Sequence, residues 1–163
     1  MRYLSHQIVF REIPNEISLS YLVTGCPLRC LGCHSADAWN ATVGDELSKS
    51  KFFEHLEKYA NWITCVLFLG GEWESEYLLS LLKIAHDVGL KTALYTGLDQ
   101  IDINILSNLD YIKTGPYVRH LGGLSSSKTN QKLINLRTGE VLNHYFLNNK
   151  EDNNGSFNGA TAQ

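Results

Sequence analysis

Long apolar runs are missing from this chain. No stretch approaches the roughly eighteen residues that a membrane helix requires, and His6, Gln7 and Arg11 interrupt the N-terminal segment before a signal-peptide core forms. Neither membrane insertion nor secretion is expected. Positive charge is scarce as well: 14 Lys and Arg against 17 Asp and Glu leave a formal net charge of −3, which supplies no electrostatic drive towards nucleic acid. Cysteine is sparse, with 4 in 163 residues. That number, without a secretory signal, argues against a disulfide framework and for metal or redox chemistry in a reducing compartment, so the expected location is the cytoplasm. The remaining composition, 44% hydrophobic and 19% charged, suits one globular domain with a sizeable core.

Three of the four cysteines stand in one short loop, Cys26-Pro27-Leu28-Arg29-Cys30-Leu31-Gly32-Cys33. An extended residue advances only about 3.5 Å, so the three sulfurs lie near enough to hold three corners of one iron–sulfur cube, with no obvious fourth thiolate. The competing reading is a structural zinc, which takes four thiolate or imidazole ligands, commonly from two separated pairs. No second pair exists, although His34 adjoins Cys33 and would complete a site of three cysteines and one histidine. The remaining cysteine, Cys65, lies inside Trp62-Ile63-Thr64-Cys65-Val66-Leu67-Phe68-Leu69 and reads as a small buried hydrophobe.

Strand and helix patterns alternate along the chain. Ile17 to Val23 alternates apolar and polar residues and ends in Thr24-Gly25, a strand that delivers the cysteine loop. A helix is expected over residues 48–60, with Phe52, Phe53, Leu56 and Tyr59 at helical spacing and Ser48 or Ser50 as N-cap. The apolar run Ile63 to Leu69 reads as a central strand running into Gly70-Gly71-Glu72. A helix from Ser75 to Val88, stopped by Gly89, leads to a strand from Lys91 to Tyr95 that ends in Thr96-Gly97. A short helix around Asp102 to Asn108 precedes the strand Tyr111-Ile112-Lys113, which ends in Thr114-Gly115-Pro116. Leu133 to Arg137 and Val141 to Phe146 flank Thr138-Gly139-Glu140 and suggest a terminal hairpin. Residues 148–163 are rich in Asn and Gly and read as a disordered tail beyond a domain spanning 1–147. The fold class is α/β: parallel βα units forming a partial (open) barrel, with a C-terminal β-hairpin and that tail. In such folds ligands gather where the strands end, and every motif above falls there.

The spacing Cys-x3-Cys-x2-Cys, followed some forty residues later by Gly70-Gly71-Glu72, resembles the radical S-adenosylmethionine (SAM) superfamily. Within it the chain is similar to the small activating proteins of anaerobic ribonucleoside-triphosphate reductase, through Cys30-Leu31-Gly32-Cys33-His34, Tyr95-Thr96-Gly97, Gly115-Pro116-Tyr117 and Thr129-Asn130-Gln131. It departs from them at Ile13-Pro14-Asn15-Glu16, at Thr114 and at Trp73. The resemblance implies a 4Fe-4S cluster on Cys26, Cys30 and Cys33, whose open iron takes the amino and carboxylate groups of SAM. It implies reductive cleavage of SAM to a 5′-deoxyadenosyl radical, and cofactor contacts at Gly70, Gly71, Glu72 and Thr96. Glu72 suits a charge-assisted hydrogen bond to the methionyl ammonium; its other reading is a simple strand-to-helix turn. Thr96 suits either a cofactor contact or a cap for the following turn. Trp39 and Trp73 suit the adenine pocket or a docking surface, with core packing the default.

After the βα units and the hairpin little chain is left to enclose a small substrate. A macromolecular client is therefore expected, and the resemblance names it: the anaerobic (class III) reductase, left holding a glycyl radical. A low-potential donor such as flavodoxin or ferredoxin would supply the electron; neither nucleic acid nor membrane is an expected partner. The alternatives are a small-molecule radical SAM enzyme similar to 7-carboxy-7-deazaguanine synthase, an electron carrier with a fourth protein ligand, and a zinc-stabilised binding module.

Overall fold

A computed structural model describes residues 1–147, so the expected tail over 148–163 lies outside the described residues. Seven strands form one sheet: β1 Arg2–Val9, β2 Ser18–Val23, β3 Asp45–Glu46, β4 Cys65–Leu69, β5 Lys91–Tyr95, β6 Tyr111–Thr114 and β7 Lys132–Asn135, in the order β3-β1-β2-β4-β5-β6-β7. The central four, β2, β4, β5 and β6, run parallel, while β1, β3 and β7 pair antiparallel at the margins. Helices α1 Lys49–Tyr59, α2 Ser75–Asp87 and α3 Ile103–Leu106 supply the crossovers between the parallel strands.

Local chemistry explains these boundaries. Ser48 caps α1, its hydroxyl accepting the Lys51 amide at 3.1 Å. Phe52 and Leu56 are buried on one face of α1, but Phe53 turns out to solvent. On α2 the buried stripe is Leu78, Leu81, Leu82 and Ala85. It ends at Gly89, where the Leu90 amide reaches back to the Ala85 carbonyl at 3.0 Å.

Alternation in the parallel strands separates two cores. Leu19, Tyr21, Val66, Phe68, Leu94 and Ile112 face the helices. Cys65, Leu67, Ala93 and Tyr111 face the other way and are covered by Ile13, Leu133 and Leu142. Among the described residues no helix is long and apolar enough to cross a membrane.

Three elements differ from the sequence reading, the two-residue edge strand β3 being one that it lacked. β1 was not expected, because a bulge between Tyr3 and Ser5 breaks its alternation and leaves Leu4 outside. The terminal hairpin shrinks to a single bridge, Ile134 to Val141, and Asn143–Phe146 is a 3-10 turn. The cause is Asn143. Its side chain accepts the Leu133 amide at 2.9 Å and donates to the Gln131 carbonyl at 2.8 Å, taking the place of a second strand's backbone. β7 pairs with β6 instead.

Candidate iron–sulfur and cofactor site

A cavity of about 510 Å³ opens where the parallel strands end, and Cys26, Cys30, Cys33, Gly70, Glu72 and Thr96 all line it. Residues separated by up to seventy positions thus converge because each follows its own strand. Gly71 does not line the cavity; its α-carbon faces Met1 and Val23.

The cysteine loop leaves β2 at Gly25, whose φ of +93° and closeness to Ala41, 3.0 Å from where a Cβ would stand, exclude larger residues. Beyond it all three cysteines are free and partly buried. The Cys33 amide donates to the Cys30 carbonyl at 3.0 Å, and the Ser35 amide donates to the Cys33 sulfur at 3.4 Å. Burial pushes the Cys26 thiol above its ordinary range, and hydrogen bonds from the loop at Leu28 and Arg29 pull it partly back.

Among the described residues no three His, Cys, Asp or Glu side chains converge on a point that could hold a single ion. The chemistry of the donor set fits a 4Fe-4S cube, in which each of three thiolates takes a separate corner. His34, the candidate fourth zinc ligand, packs instead beside Tyr117, with ring centroids 5.3 Å apart.

The same cavity is lined by Glu72, in the 3-10 turn Glu72–Glu74 between β4 and α2. Its carboxylate is not a helix cap, since no side chain caps α2. One oxygen accepts the Thr96 hydroxyl; the other, Oε2, is buried without a partner. Burial pushes the carboxyl above its usual range, with Thr96 opposing the shift. Of the two expectations for Thr96 the cap is met, because its oxygen also accepts the Leu98 amide at 3.0 Å and so caps the following turn. Gly70, at φ +88°, lies under the Trp73 ring, which would stand 2.5 Å from any Cβ there.

Two lining residues add what sequence reasoning missed or left open. Lys113, at the end of β6, is largely desolvated, which lowers its ammonium's pKa, while Cys33, Cys30 and Glu72 oppose the shift. It forms no ion pair among the described residues. The available signal was its place two residues after Tyr111 on the inner face of a strand whose neighbours end in motifs. Trp39 closes the 3-10 turn Ala36–Trp39 after the cysteine loop, and its indole N–H is buried without an acceptor. A donor and an acceptor left unmatched in one cavity are the marks of a site completed by a ligand.

The late segment braces this mouth. Gln131 donates to the Gly115 carbonyl at 3.1 Å and Asn130 to the Pro116 carbonyl at 2.9 Å.

Residues 17–137, well over half of the chain, match a protein family described as a 4Fe-4S single cluster domain. A stretch of 78 residues is 35% identical to the pyruvate formate-lyase-activating enzyme of Clostridium pasteurianum. That match covers 44% of this chain and 33% of the relative, so the two share about a third of the relative's length.

Proposed function

The chain belongs to the 4Fe-4S single cluster domain family, and from that membership we propose that it is a radical SAM activase that generates a glycyl radical on a partner enzyme. The observation that carries the reading is that three free, partly buried thiols share one cavity with a buried carboxylate that keeps one oxygen unpaired. Cys26, Cys30 and Cys33 would hold a 4Fe-4S cluster. When bound and reduced, such a cluster supplies the electron that splits the S–C5′ bond of SAM into methionine and a 5′-deoxyadenosyl radical, which takes a hydrogen atom from a glycine.

The chain's own residues bind and orient. Glu72 offers its free oxygen to the methionyl ammonium, a charge-assisted hydrogen bond that offsets the cost of burying the carboxylate. Thr96 holds the other oxygen and so aims the group. Lys113 supplies the opposite charge for the methionyl carboxylate. Gly70 lets the backbone approach without a side chain between.

We read the sheet as a partial barrel whose mouth stays open for a macromolecular client. The similarity to a pyruvate formate-lyase-activating enzyme favours a glycyl-radical protein as that client. Gly115-Pro116-Tyr117 and Thr129-Asn130-Gln131 favour the anaerobic ribonucleoside-triphosphate reductase. A flavodoxin or ferredoxin in the cytoplasm would supply the electron.

Anaerobic reconstitution with iron and sulfide, reduction, and chromatography for 5′-deoxyadenosine test the chemistry. A four-iron protein that yields no 5′-deoxyadenosine overturns it. Mixing with the class III reductase or with pyruvate formate-lyase, and recording the carbon-centred doublet by electron paramagnetic resonance, tests the client.

A further inference from the structure

The aromatic groups that line the cavity are not equivalent. Trp73 is occupied in covering Gly70. Tyr95 donates its hydroxyl to the Glu12 carbonyl and carries the Lys113 ammonium 5.3 Å from its ring centre. Tyr117 has no such duty. Its ring comes from the loop after β6 and lies against the cysteine loop, because Gly32, the residue before Cys33, has no side chain to keep it away. The Tyr117 Cε1 stands 3.7 Å from where a Gly32 Cβ would be, and the stem of Arg119 stands 3.6 Å from it. The His34 ring meets Tyr117 at 5.3 Å and 56°, so two rings from distant segments make an open aromatic corner beside the third cysteine. Both line the cavity.

We propose that Tyr117, cornered by His34, is the platform on which the nucleobase of SAM stacks. This deepens the functional reading above and rests on it. The two charges of the methionyl end are met by Glu72 and Lys113, which follow β4 and lie on β6. The adenine end is flat, neutral and polarisable, and an aromatic face binds such a group without needing a particular hydrogen-bond pattern. Tyr117 therefore contributes to recognition of the nucleoside half and nothing to recognition of the amino-acid half.

The test is equilibrium binding to the iron-loaded protein with two probes that do not turn over, S-adenosylhomocysteine and methionine, alongside iron content and visible absorbance. Tyr117→Ala is expected to weaken S-adenosylhomocysteine by about 5- to 150-fold, the range for loss of one base–aromatic stack. Methionine affinity and iron content should stay at wild-type levels, and Tyr117→Phe should restore S-adenosylhomocysteine binding. Equal affinity for S-adenosylhomocysteine in wild type and Tyr117→Ala overturns this inference alone. Joint loss of iron and of both ligands in Tyr117→Ala also overturns it, because Tyr117 would then be a prop for the cysteine loop. If the wild-type iron-loaded protein binds neither probe, the SAM reading fails and the inference fails with it.

Discussion

The two ends of the parallel strands carry the same kinds of side chain and use them in opposite ways. At the N-terminal end sit a thiol, Cys65, and a buried carboxylate, Glu16, only 5% exposed. Glu16 is saturated: it accepts the Thr64 hydroxyl at 2.6 Å, the Tyr111 hydroxyl at 2.8 Å and the Lys91 ammonium. Cys65 is sealed, and burial pushes its thiol up to about 12. At the C-terminal end, by contrast, three thiols are partly open and the Glu72 carboxylate keeps one oxygen without a partner. Residue type does not separate structure from chemistry here. What separates them is whether the protein itself satisfies each polar atom.

The largest expected effect tests the thiols. Replacing Cys26, Cys30 or Cys33 by alanine should each abolish the four-iron absorbance and 5′-deoxyadenosine formation. Cys65→Ala should keep both and lower stability by about 1–2 kcal/mol through lost packing. Equal iron loss from Cys65→Ala would erase the distinction between the two ends.

Next come the carboxylates. Glu16→Gln leaves the Lys91 ammonium without its counter-charge, and should destabilise by about 2–3 kcal/mol in urea unfolding, below the cost for a fully enclosed pair because Lys91 reaches solvent. Ligand affinity of the folded fraction should not change. Glu72→Gln should do the reverse. It should weaken SAM and methionine binding roughly tenfold or more, yet raise the stability of the ligand-free protein at neutral pH by on the order of 1 kcal/mol, because it removes an uncompensated buried charge.

The pH dependence follows from the raised Glu72 carboxyl. The folded state holds that proton more tightly than the unfolded chain, so its stabilising contribution is present below the ordinary carboxylate value and is lost as pH rises through the folded one. The stability gain of Glu72→Gln should therefore fade in acid. A gain that is independent of pH would show that charge burial is not its cause.

A smaller effect comes from a third region, the helix-covered face. The rings of His6 and His55 stack at 4.2 Å, and Tyr21 bonds the His55 ring at 3.0 Å. Burial lowers both imidazole pKa values, with Lys51 and Lys58 adding to the shift. Here the unfolded chain binds protons more readily, so stability should fall as pH drops through about 6.5. Both rings are only half-buried, and solvent screening holds the effect below about 1 kcal/mol. The melting temperature of His6→Gln should change less between pH 7 and pH 5 than that of wild type.

Several features of the site were legible because they are local. A loop that carries three cysteines within eight positions announces itself, and so do strands that end in Gly25, Gly70, Gly97 and Gly115. The crossover helices could be read from their apolar spacing, Ser48 and Gly89. Lys113 escaped notice because a lysine near a strand end is ordinary until its neighbours in space are known. Glu16 escaped for the same reason, since its partners lie up to 95 positions away. The hairpin reading failed on one side chain, Asn143, that imitates a backbone.

The sequence by itself determined the kinds of ligand on offer, the order of the elements and the end of the sheet where the motifs fall, because those follow from short-range spacing and from one strand following another. Tertiary structure alone decided which polar atoms are satisfied. A carboxylate becomes a strut or a ligand-binding group according to the partners that distant strands bring within hydrogen-bond reach, and in this protein Glu16 has three such partners and Glu72 has one.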